Sequence, residues 1–292
     1  MTSSPKRVVA IGGGHGLAAS LRAIRKYGSQ VTAIVSVADD GGSSGRLRDE
    51  LGIPAPGDIR KCLIALGDPS SIWTKALEYR FDAGELKGHP LGNLMIAGLT
   101  GTTNDFTSAL KEIARLVGAV GAVLPATLSP VVLKATAGSG GEIEGQVNVG
   151  RSDDITTVSL VPADAASPVE AIEAIRNADQ VVIGPGSLFT SVLAAAIAPE
   201  INSALAATSA QRVYVCNLQP QDPETLGFDV AAHVRALNAH GVTPDVVLCD
   251  PRSIEIGNPD IAIVERELAR SNGLAHDPDL LAKALAELSD RL

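Results

Sequence analysis

The sequence predicts an α/β chain built on a Rossmann-like, doubly wound and mainly parallel sheet, with a helical and antiparallel β region inserted at about 60–160. Three observations carry this. Short β-branched runs alternate with segments of helical period in both the first and last thirds of the chain. Several of those runs end in glycine-rich loops, the place where open α/β sheets bind ligands. The length, 292 residues, suits one large α/β domain, so 1–292 is read as a single domain carrying the insertion.

The elements follow in order. Arg7 to Ile11 reads as a buried strand running into Gly12-Gly13-Gly14-His15-Gly16. Leu17 to Tyr27 has helical period, with Leu17, Leu21 and Ile24 on one face and Gly28 as the stop. Val31 to Val37 is a second β-branched run, which completes a βαβ unit and implies parallel strands with a right-handed crossover. Residues 58–80 and 104–117 look helical, and 124–161 look like short strands with polar turns. The α/β rhythm then returns. Pro168 to Ala178 reads as a helix, Gln180 to Ile183 as a strand, and a helix follows Gly184-Pro185-Gly186-Ser187. Arg212 to Cys216 reads as a strand, Val230 to His240 as a helix, Asp245 to Cys249 as the last strand, and 277–292 as an amphipathic helix.

Composition excludes several function classes. Aromatics make up 3% of the chain, too few for the closely spaced stacking platforms of single-strand binding. The net charge of −9 opposes a nucleic-acid polymer as partner. Arg46, Arg48, Arg60 and Lys61 form a local basic exception. Cys62, Cys216 and Cys249 are odd in number and lack a CxxC pair, which points to buried free thiols rather than a disulfide framework or a zinc site. Gly12 interrupts the first apolar run, so no signal peptide is read, and no segment approaches the ~18 apolar residues of a membrane span. A cytoplasmic location is expected.

The candidate chemistry lies in four loops, 12–16, 38–46, 184–188 and 217–221, each after a predicted parallel strand. In a doubly wound sheet they share the carboxyl edge. Gly12 to Gly16 opens a helix, where bare amides and the helix dipole favour a phosphate. The dinucleotide fingerprint is broken, because Leu17 stands where its third glycine belongs, and no Lys-Ser/Thr of a Walker loop follows. His15 is either a phosphate donor or base, or an exposed turn residue. Asp39 lies where dinucleotide domains keep a ribose-binding acid; alternatively Asp39 and Asp40 hold Mg²⁺ bridging phosphates. After Gly41 and Gly42, the residues Ser43, Ser44 and Gly45 are a candidate anion nest with Arg46 as its clamp. Asp58, two residues before Arg60, takes an N-cap position; both are site candidates, as is Asn93 in Gly88-His89-Pro90-Leu91-Gly92-Asn93. Gly184, Pro185, Gly186, Ser187 and Leu188 repeat the logic of the first loop, with Ser187 a helix cap or phosphate donor; G-x-S-x-G is not matched. Asn217 opens the fourth loop.

Together these motifs resemble one family. Ile11 to Gly16, Val37 to Arg48 followed by Pro56-Gly57-Asp58-Ile59-Arg60, Gly88 to Leu94, Ile183 to Leu188 and Val213 to Asn217 stand in the order seen in the YvcK-like gluconeogenesis-factor group of the CofD-like superfamily. The resemblance covers roughly residues 5–250. It implies a cytoplasmic, regulatory protein that binds UDP-sugars, notably UDP-N-acetylglucosamine, and is linked to gluconeogenic carbon use, peptidoglycan supply and cell shape, with a homo-oligomer and regulatory protein partners as further expectations. No turnover is attached to that group. The enzyme branch of the superfamily implies the alternative, Mg²⁺-dependent transfer of a phospholactyl-type group to a deazaflavin, and the βαβ unit leaves NAD binding as a third. Pro90 and Lys61 depart from the family pattern, where serine and asparagine are usual. Ala275 stands where an arginine is expected before His276-Asp277, and a tyrosine-bearing C-terminal segment is missing.

Overall fold

The computed structural model describes residues 6–290. Strand β1 (Arg7–Gly12) is buried along almost its whole length, as a central strand of a two-sided sheet must be. Helix α1 (Gly14–Ile24) buries Leu17, Leu21 and Ile24, and leads to β2 (Gln30–Val35), paired parallel to β1. A helical stretch follows: α2 (Gly42–Leu51), α3 (Gly57–Leu66), α4 (Ile72–Ala76), α5 (Leu91–Thr103) and α6 (Phe106–Leu116). Strand β3 (Ala122–Pro125) then pairs parallel with β2. This strand lies inside the stretch read as inserted, yet it forms one edge of the main sheet.

The small antiparallel piece consists of β4 (Val132–Ala137), β5 (Glu142–Glu144) and β6 (Ile155–Val161), in the order β5-β4-β6, with the short α7 (Gln146–Val149) between β5 and β6. The chain re-enters the main sheet through α8 (Val169–Arg176) and β7 (Gln180–Ile183). A π-helical turn, Leu188–Leu193, runs into α9 (Ala194–Ala196), followed by α10 (Pro199–Ala207), β8 (Gln211–Val215), α11 (Val230–Ala239) and β9 (Val246–Cys249). Strand β9 is not the last, because β10 (Ala262–Glu265) adds a further parallel edge. Helix α12 (Pro278–Ser289) buries Leu281, Leu285 and Leu288 at helical spacing and packs on α1.

The main sheet has seven parallel strands in the order β10-β9-β8-β7-β1-β2-β3. From β1 the chain builds outward through β2 and β3, then returns to the other side of β1 at β7. The strand order therefore reverses between β1 and β7, the switch point at which a crevice opens beyond the carboxyl ends. Strands β2, β1, β7 and β8 are consecutive neighbours, so the four candidate loops do share one edge. All three cysteines are buried free thiols. No single helix among the described residues is long and apolar enough to cross a membrane.

Candidate functional site

The first loop is more crowded than its glycines suggest. A Cβ on Gly16 would lie 2.3 Å from the Pro185 carbonyl oxygen, so the loops after β1 and β7 touch, and only glycine fits. The helix N-terminus is already addressed by a protein anion. The Gly14 amide donates to Asp58 Oδ2 at 2.7 Å, and Lys61 Nζ donates to Asp58 Oδ1 at 2.9 Å. Asp58 does not cap its own helix, as its position had suggested. The cap residue of α3 is Pro56, and Asp58 sits in the first turn with its carboxylate turned to α1. His15 is exposed, and the Lys61 charge, followed by burial, lowers its pKa. It therefore faces the site as a neutral imidazole near pH 7.

The second loop divides. Asp39 Oδ1 accepts from the Gly41 amide at 3.0 Å, and burial, together with the Asp58 charge, pushes its carboxyl up. Asp40 turns away and accepts from the Val147 amide of α7 at 2.9 Å. The expected metal pair Asp39/Asp40 is thus not convergent here. Gly42 begins α2, so Ser43, Ser44, Gly45 and Arg46 are helical rather than a loop nest. A Cβ on Gly45 would fall 2.0 Å from the Asp40 carbonyl oxygen. Ser43 Oγ bonds His89 Nδ1 at 2.8 Å and accepts from Asn93 Nδ2 at 3.1 Å, while Asn93 Oδ1 accepts from Arg60 Nε at 3.0 Å. Ser43, His89, Asn93 and Arg60 are all buried, which makes them a polar strut joining α2, α3 and α5. Arg46 is exposed and donates to the Lys87 carbonyl at 3.2 Å.

At the other side of the switch point, Asn217 clamps Gly186. Its Oδ1 accepts from the Gly186 amide and its Nδ2 donates to the Gly186 carbonyl, both at 2.9 Å. Ser187 takes the first position before the π-helical turn but makes no side-chain cap. The cap comes from Glu224, which sequence reasoning missed. Its Oε1 accepts from the Phe189 amide at 2.7 Å and the Thr190 amide at 2.8 Å. Burial pushes the Glu224 carboxyl up. Leu188 is wholly buried in the core rather than at the ligand edge.

Two cavities open along this edge. One of 280 Å³ is lined by Gly13, Gly14, Asp39, Asp58, Lys61 and Ser187, among others. Its neighbour of 310 Å³ is lined by Asn217, Gln219, Leu274 and His276, among others. His15, Gly16, Gly186 and Gln221 line both, so the two form one trough with a charged end and an amide-lined end. His276 is buried, its pKa is lowered to about 4 by that burial, and its Nε2 has no hydrogen-bond partner among the described residues. Gln146 also reaches the charged end, carried there by α7 from the small antiparallel region. The charged end brings Asp39 together with Asp58, and no cluster of three or more His, Cys, Asp or Glu metal donors occurs among the described residues. Two carboxylates suit Mg²⁺ completed by ligand phosphates, and do not suit an all-protein metal cage.

The fold agrees with comparisons to known proteins. The family model described as "2-phospho-L-lactate transferase CofD" matches residues 8–286. The gluconeogenesis factor of Bacillus subtilis is 43% identical over 242 residues, covering 82% of this chain and 76% of the relative. The chain belongs to the CofD-like gluconeogenesis-factor family.

The gluconeogenesis factor of Halalkalibacterium halodurans is 41% identical over 248 residues, covering 83% of this chain and 77% of that protein. A solved structure of a UPF0052 family member from Bacillus halodurans superposes with a TM-score of 0.92 at 34% identity, over 97% of this chain and 99% of that one. Relatives differ in length: a Nostoc relative is 44% identical over 80% of this chain, which spans 52% of the Nostoc protein. The family match of this gluconeogenesis-factor chain takes in every trough residue named above.

Proposed function

We propose that this chain binds a nucleotide sugar, UDP-N-acetylglucosamine, in the trough and acts as a cytoplasmic regulatory protein linking gluconeogenic carbon use to peptidoglycan supply and cell shape. The observation that carries this reading is the trough's division into two chemically different ends around the switch point. The charged end supplies Lys61 and the His15 and Gly16 amides of α1 for a diphosphate, the Gly14 amide being taken by Asp58. The amide end supplies Gln219 and Gln221, groups that both donate and accept, for a base or sugar, behind the Gly186 turn that Asn217 holds. A Mg²⁺ ion held by Asp39 and Asp58 would supply charge neutralisation, offsetting the repulsion between Asp58 and the ligand's phosphates. Membership of the gluconeogenesis-factor family supports the regulatory role. Calorimetric titration with UDP-N-acetylglucosamine, with and without Mg²⁺, tests it. Saturable binding without consumption of the ligand is expected; no binding, or rapid turnover, overturns it.

A transferase reading has one specific support, the description of the matching family model together with the Asp39/Asp58 pair at the phosphate end. It requires Mg²⁺-dependent product from a deazaflavin acceptor, and absence of product removes it. NAD binding is the weakest reading, because Leu17, at the fingerprint's third glycine, is fully buried in the core. Competition of NAD against the sugar nucleotide decides between them.

A further inference from the structure

A third cavity, of 570 Å³, lies between the C-terminal half of α1, the end of α3, α4 and the start of α12, and shares no lining residue with either end of the trough. In a chain of net charge −9 its walls carry five cations: Arg22, Arg25, Lys26, Lys75 and Arg270. Their partners decide what the groove can take. Arg25 donates to the carbonyls of Ala65 and Gly67 at 3.0 and 2.9 Å, the open C-terminal end of α3, and so is held in place without an ion pair among the described residues, although Asp68 lies close enough to feel its charge. Lys26 pairs with Asp279. Asp277 is engaged in capping α12, accepting from the amides of Asp279 and Leu280. Arg22, Lys75 and Arg270 are exposed and have no ion pair or side-chain hydrogen bond among the described residues, against Glu78 as the one lining carboxylate left without a partner there.

Ile64 and Pro69 add apolar lining to the same cavity. The volume is in the range of small-molecule sites, ~300–1,000 Å³. One held guanidinium, further unpaired cations and apolar lining in one cavity are the chemistry that binds phosphate esters with a carbon body.

We infer that this groove is a second binding site, for a small phosphate-bearing metabolite, separate from the sugar-nucleotide trough. Helix α1 and the segment 274–279 border both places, since His15 and His276 line the trough while Arg22 and Asp277 line the groove. An occupant of the groove therefore sits on the same elements that shape the trough.

The test is calorimetric titration of the full chain with inorganic pyrophosphate, comparing wild type with Arg22→Ser, Lys75→Ser, Arg270→Ser, their triple combination and, as a trough control, Lys61→Ser. Each exposed charge removed is expected to weaken the groove site about threefold, and the triple variant about thirtyfold. Lys61→Ser should leave that site unchanged. No pyrophosphate binding in wild type, or binding reduced by Lys61→Ser and indifferent to the groove variants, overturns the inference. Melting curves confirm that each variant folds. Failure of UDP-N-acetylglucosamine to bind would be seen in a separate titration and does not alter the groove comparison.

Discussion

Glu224→Ala removes the acceptor on which the turn after β7 depends. One oxygen, Oε1, takes both the Phe189 amide at 2.7 Å and the Thr190 amide at 2.8 Å, and Phe189 and Thr190 are buried. Alanine leaves two buried donors unpaired, at about 1–3 kcal/mol each, so the loss should be about 2–6 kcal/mol. That is a large part of the ~5–15 kcal/mol by which a native domain is stable. Glu224→Gln keeps an Oε1 in the same place and gives up the charge and the Oε2 acceptor, leaving the Thr190 hydroxyl, which reaches both oxygens at 3.3 Å, to bond Oε1 alone. Burial already disfavours that charge, so glutamine should cost well under half as much as alanine. Urea denaturation checks this: the midpoint should fall strongly for alanine and little for glutamine, with the slope unchanged. Ser187 follows the Asn217-clamped Gly186 and lines the charged end, so alanine should also weaken sugar-nucleotide binding where glutamine does not. An alanine variant within about 0.5 kcal/mol of wild type, or a glutamine variant as damaged as alanine, would refute the reasoning.

Acid should destabilise the fold through two buried imidazoles. Burial lowers the pKa of both His233 and His276 from 6.5 to about 4, a gap of 6.5 − 4 = 2.5. Their contribution is complete above pH 6.5 and is lost as pH falls toward 4, at about 3 kcal/mol each; urea midpoints that stay flat from pH 7 to 4.5 would contradict it. Gly16→Ala places a methyl 2.3 Å from the Pro185 oxygen, so it should cost about 1–3 kcal/mol and abolish ligand binding, read by melting and titration. Lys61→Ala should weaken UDP-N-acetylglucosamine about tenfold, and Arg46→Ala less than about twofold, because Lys61 lines the trough while Arg46 points to the Lys87 carbonyl. Equal effects in a parallel titration would mean that Arg46 reaches the ligand after all.

Much of the scaffold was legible because its signals are local. Gln180–Ile183 was read with its observed ends, and the strands at 7, 31, 212 and 246 to within a residue or two, since each is a short buried β-branched run closed by glycine or a polar residue. Strand β10 is not read from the sequence although Ile263 and Val264 are β-branched: it is four residues long and lies half exposed at a sheet edge. The start of α2 was missed because Gly42-Ser43-Ser44-Gly45 has the composition of a loop; burial of both serines, not propensity, makes it helical.

The site was legible in outline and not in its pairings. Four loops at one edge could be inferred from four predicted parallel strands, each followed by an unusual loop. That Asp58 answers the Gly14 amide, that Glu224 rather than Ser187 caps the turn after β7, and that Asp40 is spent on Val147 could not. Those partners are separated by 44, 35 and 107 positions in the chain. A carboxylate's type and neighbours say only that it needs donors. Which donors it finds is settled when the sheet closes and helices from distant segments are pressed against its edge. The sequence by itself determined where the backbone could come close to an anion, because glycine spacing is a local steric fact. Only the tertiary structure decided which of those positions are already filled by the protein's own acids, because electrostatic satisfaction is a property of the packed chain.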